Sequence, residues 1–324
     1  MIRFLFATRN KVFNKGTQAL RNLNEAAMAA YKPLLKMANV EYLIENKGYL
    51  LAFEGTNAKK LARKESLTLE PFAIKNQLLN VSEINEFEPL LKNCEAALYF
   101  PEISHSADPY KLALGLFNHF ISIGGVFKKC EIIDLHSNSD QSIDLFTDNK
   151  TISTKKLVIA AGAFSQKLVA KLGIQTPLDT ERGYHLMVDK GDLLNRPVAF
   201  AQRKFIITPM SSGTRLAGTV EFAGLENQPN WSRAEMLLDH AQHFLNPLRS
   251  VQKQDCQKWM GFRPSFPDSL PVIDRCQANK NIFFCFGHQH LGLTQAAISA
   301  KLISNMMSER EAQFDISPYS IQRF

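Results

Sequence analysis

The chain has 324 residues, 45% hydrophobic and 21% charged, a globular balance that excludes a disordered or fibrous protein. Its 38 basic and 31 acidic residues give a formal net charge of +7, scattered without the Lys/Arg block that marks a nucleic-acid arm. Five widely spaced cysteines with no C-x-x-C pair signal neither a zinc site nor a disulfide framework, and no apolar run reaches the roughly 18–20 residues of a membrane span.

Apolar residues recur at helical spacing from Leu20 to Leu35 and predict a helix over 17–39, with Thr17 as its cap and Pro33 as a kink or break. A strand over 47–53 and a second helix over 56–79 follow. Asn80 opens a capped helical turn, and 95–100 reads as a strand broken by Pro101. Asp108 and Pro109 are the N-cap and first residue of a helix to Ile123, ended by Gly124-Gly125.

Runs over 126–135, 142–147 and 155–160 predict a β-meander. The stretch 157–165 is an apolar strand entering a small-residue turn at Ala161-Gly162, then a helix over 166–172. Such a turn either exposes a ligand edge or is close-packed and needs Gly162 for space. Residues 180–221 contain four strands with a hairpin signal at 209–213, and 233–244 is a helix. The whole reads as an α/β (α+β mixed) fold, an antiparallel-sheet block set between two pieces of an α/β domain.

The last quarter is the most specific. Trp259-Met-Gly-Phe-Arg-Pro-Ser265 places Arg263 in a Pro-rich turn, and the run Asn281–Phe286 ends on a Gly/His loop that opens a helix. A strand, a glycine turn and a helix N-terminus present N–H groups and a positive dipole end to an anion. With Arg263 aimed at the same region, the stretch suits two negative partners.

These segments, with Asp179-Thr-Glu-Arg-Gly-Tyr-His185, Pro267-Asp-Ser-Leu-Pro271 and Phe286-Gly-His-Gln-His-Leu-Gly-Leu-Thr-Gln295, resemble the D-amino-acid oxidase-like family of FAD-dependent oxidoreductases, and the bacterial D-amino acid dehydrogenases in particular. The resemblance covers nearly the whole chain. It implies a partial FAD-binding Rossmann-like domain interleaved with an antiparallel-sheet substrate domain. Residues 1–100 would be substrate-domain helices and strands, 101–165 an FAD-domain part, 166–258 the substrate-binding sheet and 259–324 the C-terminal FAD-domain part. It implies oxidative deamination of D-amino acids to 2-oxo acids and ammonia, with hydride passing from Cα to flavin N5 and electrons on to a quinone or respiratory chain.

In that reading Arg263 binds the substrate carboxylate, and Tyr184, His185 and His290 line the catalytic pocket. Ile132, Ala161, Gly162, Gly287, His288, Leu291, Gly292, Leu293 and Thr294 bind FAD, and no metal is called for. Tyr184 and His185 are equally readable as an inward strand pair, and a histidine in a turn such as His288 is more often scaffold. The family usually carries Gly where Gln289 stands.

The resemblance also implies a cytoplasmic protein, with mild basicity compatible with peripheral contact on the inner face of the membrane. The family's opening G-x-G-x-x-G unit has no counterpart, since the only glycines before residue 100 are Gly16, Gly48 and Gly55. The chain therefore reads as starting inside the family pattern, with apolar surface left exposed near 126–135 and 157–162 and weak retention of FAD. The alternatives are a non-catalytic remnant or subunit, or a relative acting on glycine, sarcosine or D-hydroxyproline.

Overall fold

Apolar side chains three and four apart build the first helix, α1 (Asn10–Met37), in the computed structural model, which describes residues 9–324. It starts about two turns earlier than the predicted residue 17, so Thr17 is not its cap: the Thr17 hydroxyl donates back to Phe13 O. Pro33 lies inside the helix. The small strand β1 (Ile44–Glu45) and β2 (Tyr49–Phe53) follow, then α2 (Ala58–Leu69). The predicted helix over 56–79 stops at Glu70-Pro71, and its last residues form β3 (Gln77–Leu79); proline has no N–H to extend the ladder.

Helix α3 (Val81–Phe87) starts at a reciprocal capping box between Asn80 and Glu83. Strands β4 (Ala96–Phe100) and β5 (His105–Ser106) lead into α4 (Pro109–Ser122), whose Asp108 cap accepts the Lys111 amide. The predicted strand over 126–135 is only β6 (Asp134–Ser137). It forms the meander with β7 (Ile143–Phe146) and β8 (Thr151–Thr154). The third predicted meander strand instead becomes β9 (Leu157–Ile159), which leaves the meander and pairs in parallel with β16 (Ile282–Phe286). Of its three apolar residues Ile159 is buried in this sheet, while Val158 stays exposed.

After α5 (Ser165–Lys171) come β10 (Asp179–Val188), β11 (Val198–Phe200), β12 (Phe205–Met210) and β13 (Gly213–Phe222). Helix α6 (Ser232–Phe244), β14 (Gln257–Ser265), β15 (Val272–Arg275) and α7 (Gly292–Met307), which follows β16, complete the chain.

Eight strands make one sheet, in the order β14-β10-β13-β12-β11-β2-β4-β3. Its pairs are antiparallel except β11 with β2. Helix α6 covers one face, burying Leu237, Leu238, Ala241 and Phe244 against Tyr184, Leu186, Val198 and Leu216. Helix α2 covers only the β2-β4 end, through Ala58 and Ala62 against Phe53, Ala96 and Leu98. A smaller sheet, β15-β16-β9, sits between α1 with α7 on one side and the meander with α5 on the other. Phe283 faces the helices, while Phe284 and Phe286 face the meander, the alternation expected of a doubly covered strand. β9 is the edge of this sheet, and Val158, Val126, Phe127 and Ile133 are exposed beside it or ahead of β6.

Candidate active site

The site begins with the alternation of β10. Arg182, Tyr184, Leu186 and Val188 are buried toward α6, so Glu181, Gly183, His185 and Met187 face the other way. Residues directly opposite on an antiparallel ladder share a face. Arg263 is opposite Glu181, Gly261 opposite Gly183, and Trp259 opposite His185. On the other side, Arg215 is opposite Met187 and Ala217 opposite His185, past a bulge between Gly183 and His185.

Two glycines make the floor of this face. A methyl group on Gly183 would overlap the Arg263 guanidinium, and one on Gly261 would overlap the Trp259 ring. Both large side chains therefore lie flat across the strands because nothing stands beneath them. Trp259 stacks on His185 with ring centres 4.7 Å apart and planes 16° apart.

Arg263 is half-buried and makes no hydrogen bond or ion pair among the described residues. Burial pulls its pKa down, and the charge of Glu181 acts against that. His185 is pushed down to about 4 by burial first, then by Arg215 and Arg263, so its ring is neutral at pH 7.

The second wall is the loop before α7. Gly287 has φ +85°, and a side chain there would strike Phe266; the family-like glycine is demanded by both conformation and space. His288 turns inward, its Nε2 within 2.9 Å of Ser299 Oγ, and burial pushes it down to about 4. A contact of this kind is what a scaffold histidine makes. His290 sits on the turn, its outer side in solvent, with its pKa lowered first by partial desolvation and then by Arg263, while Glu181 acts against both. The loop thus faces the Arg263 end of the sheet, and β14 packs against it.

No side chain caps α7, so its first amides, from Gly292 to Thr294, stay open to an anion. Tyr31 OH donates to Leu293 O at 2.5 Å and ties α1 to this turn. Ala161 and Gly162 form the turn after β9, with Gly162 at φ +57° and open space around it. Phe164 from that turn meets Phe262 of β14 edge-on, so this turn also abuts the site strand. Ile132 lies outside any strand, ahead of β6.

Tyr184 is the clear departure. It is 1% exposed, on the α6 face, with its hydroxyl donating to Glu221 Oε2 at 2.5 Å and accepting from Asn230 N at 3.0 Å. Strand alternation sends neighbours to opposite faces, so Tyr184 and His185 cannot both line the pocket. The reading as a packed strand residue is the one found for Tyr184.

The residues missed were Arg215, Trp259 as a stacking wall, and the glycine pair. The hairpin at 209–213 combined with alternation along 214–221 carries the signal for Arg215. Among the described residues no cluster of three or more His, Cys, Asp or Glu could hold a metal ion.

The family model described as FAD dependent oxidoreductase matches residues 5–306. The chain belongs to this family. The D-amino-acid oxidase of Bradyrhizobium diazoefficiens is 32% identical over 316 residues, covering 94% of this chain and 73% of the relative. The D-amino acid dehydrogenase of Paramagnetospirillum magneticum is 27% identical over 251 residues, covering 75% and 58%. The crystal structure of glycine oxidase from Geobacillus kaustophilus superposes with a TM-score of 0.81 at 22% identity, covering 94% of this chain and 82% of that one, which shows the same fold. The chain is thus an FAD-dependent oxidoreductase of the amino acid oxidase and dehydrogenase type.

The described residues fit the ring end of FAD. The uncapped α7 start and the Gly287 turn lie against β14, and in the first turn of α7 the buried Gln295 has an Oε1 without a partner. The phosphate end is different. The sequence contains no G-x-G, and Gly16, an early glycine, lies within α1. No glycine-rich phosphate turn occurs among the described residues. No described helix is long and apolar enough to cross a membrane.

Proposed function

We propose that the protein oxidises D-amino acids to 2-oxo acids and ammonia, with Arg263 holding the substrate carboxylate. The observation that carries this is the Arg263 guanidinium lying flat over Gly183, half-buried and without a protein partner. A desolvated cation of this kind is stabilised by a bidentate carboxylate, worth about 1.5–3 kcal/mol.

With the carboxylate on Arg263, the amino group and Cα extend toward His185 and the α7 amino end. FAD, when bound, supplies the acceptor for the two electrons and the hydrogen that leave Cα. The substrate amine must be neutral to release them, and a neutral amine needs no dedicated base on the protein; His185, its ring pushed down to about 4, lines the pocket as an uncharged group. Trp259 and the loop over 287–291 limit water at the reacting carbon. The resulting imino acid adds water and loses ammonia, which needs no further residue. Amides at the α7 start, from Gly292 to Thr294, stabilise negative charge at the ring edge, and Leu291 lines the same turn. Ala161, Gly162 and Ile132 extend the cofactor wall. Electrons pass on to a quinone or respiratory carrier, and the protein works in the cytoplasm, with peripheral contact at the inner membrane face.

The test is Arg263→Ala in flavin-loaded protein with an artificial electron acceptor and a panel of D-amino acids. KM for carboxylate substrates should rise about 10–100-fold, the span of one charge-assisted pair, with bound flavin unchanged. Loss of flavin instead, or wild-type protein inert toward every D-amino acid, refutes the reading.

A further inference from the structure

Arginines on this protein divide sharply by partner. Among the described residues, every arginine that is at least half-buried has a hydrogen bond or ion pair except two. Arg196 pairs with Glu88, Arg203 with Glu54, Arg323 with Asp268 and Arg275 with Glu309. Arg21 and Arg233 pair with Glu25 and Glu221, and Arg182 donates to the carbonyls of Gly224 and Gln228. The two exceptions, Arg215 and Arg263, lie on the same open sheet face.

The negative group nearest in effect to Arg215 is Asp108. Asp108 is already engaged: its oxygens accept from the Lys111 amide at 3.0 Å and from Ser211 Oγ at 3.0 Å, and Lys111 Nζ lies 3.5 Å away. It makes no ion pair with Arg215. A half-buried guanidinium without a carboxylate carries an uncompensated desolvation cost, which a bound anion offsets.

We propose that Arg215 binds the side-chain carboxylate of an acidic amino acid whose α-carboxylate rests on Arg263, making aspartate- and glutamate-like 2-amino dicarboxylates the preferred substrate class. The inference rests on the carboxylate role given to Arg263 above. The geometry sets the span. The Arg263 guanidinium lies over Gly183, and Arg215 emerges level with Met187, about 13 Å further along β10 at ~3.3 Å per residue. Both arginines act on the ring of His185 between them, and each charge-assisted bond takes up ~2.8 Å. What remains suits a short carbon chain with a carboxylate at each end. His185 sits between the two, and as a neutral ring it leaves both arginine charges to the ligand.

The experiment is direct binding to the purified chain, read by calorimetry and by quenching of Trp259, one of only two tryptophans. D-Glutamate is compared with D-norvaline, of similar length but without the second carboxylate. Wild type should bind D-glutamate at least about 10-fold more tightly. Arg215→Met should reduce D-glutamate affinity to that of D-norvaline while leaving D-norvaline within about 2-fold. Arg215→Lys should keep part of the preference, which separates lost charge from lost folding. Equal affinity for the two ligands, with both lost in Arg263→Met, overturns this inference alone. Indifference of both ligands to Arg263→Met, or no saturable binding of either, overturns the carboxylate reading along with it.

Discussion

The two faces of the large sheet are built from the same strands and treat polar groups in opposite ways. On the α6 face, Arg182 is fully buried and donates to two carbonyls, and Tyr184 joins Glu221 to the Asn230 amide. On the open face one residue further on, His185 lies between two arginines that touch no acid. The covered face answers most of its polar groups internally, leaving one Arg182 nitrogen unpaired. The open face leaves cations desolvated and unanswered, which is the state of a site awaiting a ligand. Partner count, rather than residue type or burial, separates the arginines of the two faces.

The strongest test of that contrast is Tyr184→Phe. Removing the hydroxyl leaves the part-buried Asn230 N–H without its acceptor and takes one donor from Glu221. Stability should fall by about 2 kcal/mol, read by chemical denaturation, while D-amino acid binding stays within about 2-fold. A loss of binding larger than the loss of stability would place Tyr184 back in the pocket.

That residue also shows what was legible in the sequence. The family motifs located Arg263, the Gly287 loop and the strand–turn at 157–165, because each is a short local pattern. They did not say which of Tyr184 and His185 faces the ligand, since register and sheet coverage decide that and both are set by partners far along the chain. The same limit explains β9. Its apolar run was visible, but its pairing with β16 joins residues more than 120 positions apart. Arg215 became meaningful only when three strands were aligned, for nothing local marks an arginine as unpartnered. The start of α1 was missed because its first turns are exposed, Val12 and Phe13 included, so no buried apolar stripe marks them.

Gly183→Ala probes the open face without touching a charge. The new methyl group meets the far end of Arg263, a flexible side chain, rather than backbone. The guanidinium moves and the fold does not. Stability should change by less than about 1 kcal/mol while D-amino acid affinity drops about tenfold, or ~1.4 kcal/mol. Equal and large losses of both would mean that the glycine serves only the backbone.

The histidines sharpen the contrast further. His185 and His288 are both pushed down to about 4, chiefly by burial, but His185 is also held down by Arg215 and Arg263. In Arg263→Met the His185 pKa should rise while that of His288 stays put, read by NMR titration of the ring protons. Equal shifts, or none, would deny the electrostatic link across the open face. Both groups titrate lower in the folded chain than their ordinary value of 6.5. The unfolded chain therefore takes up protons first, and their contribution to stability is complete above about pH 6.5 and lost as pH falls toward 4.

The smallest effect concerns Gln289, on the rim where the loop meets the site. Its φ is +49°, the left-handed region that side chains avoid at about 1–2 kcal/mol. Glycine removes that strain but adds freedom to the unfolded chain, at about 0.5–1 kcal/mol. The two terms oppose each other and leave Gln289→Gly stabilising by about 0.5 kcal/mol, measurable by denaturant midpoint. A clear destabilisation would show that the Gln289 side chain holds the rim in place through its own contacts. In that case the rim, too, would belong to the satisfied part of the molecule, and the open face would end at Arg263 and His290.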